Sequence, residues 1–344
     1  MILNTYALLV AFVGLLRLVL GLMVVLLGAA AWRSSSRAST PEARDRLENR
    51  CQLLFLLTLV LLLLNVVAWP LLYLLLQSYV AAWPGVMCIY GVTQVGTGSM
   101  GPARFLPDIL ALLQLTKPVL VLGGGAWFVL YLLNRGAPHA PLLTRLFVML
   151  LPVGALAAVD AAADLAYVGI PKAEEFPTVG CCTVGFDEAH ARLLPPELLG
   201  ERGRQSLAAA FRGVNGALIL ALLVASRRTR AATNAGGLAL VVLGGVVALG
   251  VTGLFVVEVA APVLLGLPYH HCPYDLVAQA PEAIVAIALY LGGFFCLVWA
   301  GLARWLGRRG TEAALPVFVR GLLGLSLLGY LASFAMLSLE LALA

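Results

Sequence analysis

The chain is short of charge. Only 11% of its 344 residues are Asp, Glu, Lys or Arg, while 62% are hydrophobic. A water-soluble domain carries about a quarter charged residues, so this composition excludes an ordinary soluble enzyme and indicates a membrane protein. Lysine is nearly absent: of 22 basic residues only Lys117 and Lys172 are lysine. The net charge of +5 is small and gathers in short loops, which points away from nucleic-acid binding. No Gly-x-x-x-x-Gly-Lys-(Ser/Thr) string occurs, so no nucleotide site of the P-loop kind is expected. Six cysteines are too few for a disulfide scaffold in a chain of this length, and none stand as Cys-x-x-Cys. The four histidines (His139, His190, His270, His271) all fall in loops, leaving no intramembrane His ligand for a b-type haem.

What the chain has in quantity is long apolar runs. A run of about 20 apolar residues spans a bilayer as a helix, and eight are expected, over 6–32, 51–77, 107–133, 146–170, 206–226, 238–263, 282–303 and 321–342. Arg212 and Asn215 interrupt the fifth. The fold class is therefore an all-α integral membrane protein, a polytopic bundle of about eight transmembrane helices with short loops, read as one transmembrane domain over 1–344. Met1 to Val13 carries no basic residue, so the first run reads as a spanning helix rather than a signal peptide.

Charge sets the orientation. The loops 33–50, 134–145, 227–236 and 304–320 hold fourteen Lys and Arg, against five on the other side, four of those in the acidic loop 171–205. By the positive-inside rule the first set is cytoplasmic, and both termini are extracytoplasmic. The expected location is the bacterial cytoplasmic (inner) membrane.

Three loops then face outward: 78–106, 171–205 and 264–281. They contain Cys88, Cys181 and Cys182, and the string His270-His271-Cys272. A weak repeat relates Cys88-Ile-Tyr-Gly-Val, Cys182-Thr-Val-Gly-Phe and Cys272-Pro-Tyr-Asp-Leu. Three chemistries fit these residues. Disulfides persist in an oxidising compartment and would staple the loops together. Thiolates with imidazoles suit copper or zinc, and Met87 beside Cys88 adds a thioether that favours copper. A cysteine beside histidine also suits thiol–disulfide exchange. Four outer cysteines above a helical bundle resemble, in layout, the quinone-linked disulfide-forming membrane proteins of the vitamin K epoxide reductase type. That resemblance implies a quinone-coupled thiol oxidoreductase; the family's Cys-x-x-Cys spacing, counted from Cys272, reaches Asp275 instead. Cys51 and Cys296 lie within the helical runs and read as packing residues.

Charges inside the apolar runs form the second set of candidates, because they are costly in lipid and concentrate at functional positions. At about 1.5 Å per residue, Lys117 and Asp160 lie at the same depth on neighbouring helices, so an ion pair between them is expected. Arg17 reaches a similar depth and competes for the same carboxylate. Asp164 shares a helix face with Asp160, and Glu258 lies at a comparable level in the sixth run. The run Gly123-Gly124-Gly125 after Pro118 reads as close helix packing or a bend.

The leading expectation is an extracytoplasmic Cys/His site for metal or thiol-redox handling, in a subunit or accessory of a larger membrane complex. The alternative is a permease using Lys117, Asp160, Asp164 and Glu258, its cysteines only structural. A quinone-coupled oxidoreductase is the third reading, so the sequence leaves open whether the protein is an enzyme. Expected partners are the lipid bilayer, other membrane subunits, or a periplasmic thiol or metal protein. The sequence leaves substrate and oligomeric state open.

Overall fold

A computed structural model describes residues 4–37, 40–83, 86, 88–97, 99–171, 201–227, 235–267, 270–307, 311 and 314–343. Every regular element among them is helical. Eight helices are long and apolar enough to cross a membrane, the architecture of a multi-pass membrane protein. They run a few residues past the expected spans, because a helix continues into the polar flank until a cap or proline stops it.

The chain divides into two compact units. The first contains α1 (Thr5–Ser35), α2 (Pro41–Arg50), α3 (Gln52–Val80), α4 (Ile89–Thr93), α5 (Leu106–Arg135) and α6 (Leu143–Gly169). The second contains α7 (Glu201–Arg227), α8 (Ala235–Leu264), α9 (Pro273–Gln279), α10 (Pro281–Leu306) and α11 (Leu315–Leu343). Each is a four-helix bundle in which consecutive long helices pack together and the last returns to the first.

In the first bundle α1 and α6 pack most closely. The buried positions of α1 are Ala7, Val10, Gly14, Arg17, Gly21, Val24, Gly28, Ala31 and Ser35, a strict alternation of three and four residues. That spacing makes a left-handed seam. Small residues on the seam bring the backbones together: a Cβ on Gly21 would lie 2.9 Å from the Gly154 carbonyl oxygen. Without a hydrophobic drive in lipid, such close packing is what holds helices together. The opposite faces remain apolar and exposed, with Phe12 61% and Leu26 70% accessible. Helix starts are capped where polar residues allow. Asn4 accepts from the Ala7 amide at 2.8 Å and donates to Ser78 Oγ at the end of α3. Thr40, followed by Pro41, caps α2.

In the second bundle the close crossing falls between α10 and α11. A Cβ on Gly329 would lie 2.7 Å from the Leu289 carbonyl oxygen and 2.9 Å from Gly293 Cα. Near its end α8 opens into one π turn, Val256–Ala260. Pro262 gives the reason: in a regular α-helix its ring collides with the carbonyl four residues back, that of Glu258, and the wider turn relieves the clash.

Candidate functional site

Four of the expected buried charges meet in the core of the first bundle. Lys117 Nζ on α5 lies 3.1 Å from Asp160 Oδ2 and 2.8 Å from Asp164 Oδ2 on α6. Arg17 on α1 joins the same two carboxylates, contacting Asp160 closely and Asp164 Oδ2 at 2.7 Å. Both cations therefore bridge both anions, rather than competing for one. Two polar groups complete the cluster: Asn65 Oδ1 on α3 accepts from Arg17 Nε at 2.8 Å, and the Thr116 hydroxyl donates to Asp160. Two positive and two negative charges, all at most 2% exposed, leave no formal net charge. Asn65 and Thr116 escaped the sequence reading; the available signal was a lone amide among the leucines and valines of α3.

The depth rule works here because α5 and α6 are antiparallel neighbours joined by a short turn. The α1 seam brings Arg17 to the same level, since Gly14 and Gly21 on either side allow α1 close to α6. The cluster ties α1, α3, α5 and α6 together, one polar contributor or more from each.

Glu258 belongs to the second bundle and has other partners. It is fully buried on the π turn, with Oε2 3.3 Å from His271 Nδ1. The same ring nitrogen lies 3.2 Å from the Val257 carbonyl oxygen. One residue earlier, His270 Nε2 is 2.6 Å from Asp275 Oδ2 at the start of α9. Neighbouring side chains on an extended segment point in opposite directions, so each imidazole turns to a different partner. Cys272, 1% exposed, follows them as the residue capping α9.

Cys88 is also buried and precedes α4 in the first bundle. Cys181, Cys182 and His190, together with Met87 and Tyr269, lie outside the described residues. Among the described residues no cysteine is in a disulfide. Cys51 sits between α2 and α3, where burial pushes its thiol up and makes it a poor nucleophile. Cys296 lies within α10.

Beneath the His270–Cys272 segment the second bundle carries a neutral polar core. Tyr290 Oη donates to Asn215 Oδ1 at 3.0 Å and accepts from Thr252 Oγ1 at 2.9 Å. Asn215 Nδ2 donates to Thr252 Oγ1 at 3.0 Å, closing a ring of three side chains from α7, α8 and α10. Tyr330 of α11 meets the Tyr290 ring edge-on at 4.8 Å. Asn215, which the sequence shows only as an interruption of the fifth apolar run, is the hub of this core. An apolar cleft of about 270 Å³ runs from Thr252 and Tyr290 to Pro273 and Leu276 of α9.

Compared with protein-family models, curated proteins and solved structures, the chain matches none of them.

Proposed function

We propose that this is a multi-pass protein of a bacterial cytoplasmic membrane that handles a soft or borderline metal ion, copper or zinc, at its extracytoplasmic face. Its working segment is His270-His271-Cys272. The observation that carries the reading is that both imidazoles beside Cys272 are held at one ring nitrogen, His270 by the buried Asp275 carboxylate and His271 by the Val257 carbonyl, 3.3 Å from Glu258 Oε2. A carboxylate or backbone carbonyl on one ring nitrogen fixes the ring and raises the basicity of the other, the arrangement that supports metal-ligating histidines. A thiolate and an imidazole together select copper or zinc over magnesium or calcium. The excess of Arg in the loops 33–50, 134–145, 227–236 and 304–320 supports an outward-facing segment and extracytoplasmic termini. In this role the protein serves as a subunit or accessory of a larger membrane assembly, exchanging metal or thiols with a periplasmic partner.

Metal titration of the purified, reduced protein tests this directly. Wild type should take up Cu(I) or Zn(II) stoichiometrically, and Cys272→Ser and His270→Gln should each weaken binding by tenfold or more, on the order expected for loss of a ligand or its support. Stoichiometric binding that survives both substitutions, or no binding with every thiol reduced, overturns it.

A second reading is favoured by one observation, the full burial of Glu258 on a π turn, a feature found often at functional positions. Here Glu258 passes a proton or cation along α8. The four charges of the first bundle do not extend that path, because each is already matched by two of opposite sign. Loss of flux in Glu258→Gln with metal binding intact would favour this reading over the first.

A further inference from the structure

The α2 end of the first bundle holds a built cavity that none of the chemistry above uses. Its volume is about 390 Å³, inside the range of about 300–1,000 Å³ typical of small-ligand sites. Asn134, 1% exposed at the end of α5, frames it. Its Nδ2 donates to Glu48 Oε1 of α2 at 3.0 Å, and its Oδ1 accepts from the Leu142 amide at 2.8 Å. One buried side chain thus holds the Glu48 carboxylate in place and closes the turn between α5 and α6.

That turn is strained. His139 and Ala140 have φ of 62° and 43°, two consecutive non-glycine residues in the left-handed region. Strain of this kind persists only where the surroundings impose it, and it gathers at binding sites. Here it sets His139 on the cavity rim, with Nδ1 3.3 Å from Asp45 Oδ2.

The lining carries both signs of charge, Glu48 against Arg135, with the His139 imidazole at the rim. Phe55 and Tyr131 add two aromatic rings 5.3 Å apart. A purely anionic ligand would meet Glu48 unfavourably, and a simple cation would meet Arg135. A zwitterion satisfies both, its ammonium on Glu48 and the ring faces, its phosphate on the guanidinium. The source is set by the neighbouring surface. Leu56 lines the cavity and is 60% exposed, and it begins an outward apolar track continued by Val60 and Leu63. A ligand with an acyl chain has a use for that track; a free headgroup has none.

We propose that this cavity binds the headgroup of an aminophospholipid, a primary ammonium joined to a phosphodiester, with an acyl chain laid along Leu56, Val60 and Leu63. The test uses the full chain in detergent, titrated with dioctanoyl phosphatidylethanolamine, dioctanoyl phosphatidylglycerol and free phosphoethanolamine, and read by native mass spectrometry. Phosphatidylethanolamine should bind saturably, about tenfold or more tighter than the other two, as one charge-assisted hydrogen bond implies. Glu48→Gln keeps an acceptor for Asn134 yet should remove that preference. His139→Gly relieves the positive φ, so it should fold at least as well as wild type while binding the lipid more weakly. Equal binding of the two lipids, equal binding of free phosphoethanolamine, or wild-type affinity in both variants overturns the proposal.

Discussion

The two bundles follow one plan with opposite chemistry at the centre. In each, four long helices pack in cyclic order, and polar side chains from different helices meet near mid-span. The first bundle fills that layer with ions, Arg17, Lys117, Asp160 and Asp164. The second fills it with neutral hydrogen bonds among Asn215, Thr252 and Tyr290. Ions held away from water depend on complete pairing, since a lone buried charge is far more costly than a lone hydroxyl. The ionic core should therefore be brittle and the neutral core tolerant.

The sharpest way to break the contrast is Asp160→Ala. It leaves Arg17 and Lys117 facing a single carboxylate and should destabilise the protein by about 3–5 kcal/mol, measured by thermal unfolding in detergent. Adding Lys117→Met restores neutrality and should recover a large part of that loss. If the double variant is no better than the single, the charges do not act as one balanced unit.

The next effect compares the two close crossings. Gly21→Leu in α1 and Gly329→Leu in α11 both force apart backbones in contact, at a cost of about 1–3 kcal/mol or more. Gly21→Leu carries a second penalty, because moving α1 also withdraws Arg17 from its carboxylates. Equal losses at the two sites would show that the ion cluster follows α1 without strain.

Tyr290→Phe should cost less, about 1–2 kcal/mol, by leaving Asn215 Oδ1 without its donor in the second core. A loss as large as that of Asp160→Ala would erase the distinction between the bundles.

The smallest effect lies outside the cores. Burial, helped by Asp45, raises the Glu48 carboxyl above its ordinary 4.5, against the pull of the Asn134 bond and Arg135. The folded state thus holds the Glu48 proton more tightly than the unfolded chain does. Its contribution is fully present below 4.5 and is lost as pH rises through the raised value. Glu48→Gln should flatten that slope in melting temperatures taken from about pH 4 to about pH 8.

Equal depth paired Lys117 with Asp160 and named Arg17 as a third member, because rise per residue is constant in a helix. Depth alone does not place both cations on both carboxylates, since rotation about the helix axis is set by packing. The α1 seam was hidden for a related reason. Ala7, Gly14, Gly21 and Gly28 are buried by being small, and a helix apolar on every side shows no hydrophobic face to count. Asn134 and Glu48 were invisible as a pair, standing 86 residues apart in ordinary loop-flanking positions.

Length and hydropathy were enough to place eight helices long and apolar enough to cross a membrane, because both act locally along the chain. Packing in three dimensions settled which charges neutralise one another, and that His270 and His271 turn to different partners. It also placed a π turn around Glu258. These depend on helix rotation, on backbone approach at glycine, and on a proline clash with the preceding turn, which take effect only when helices are packed in three dimensions.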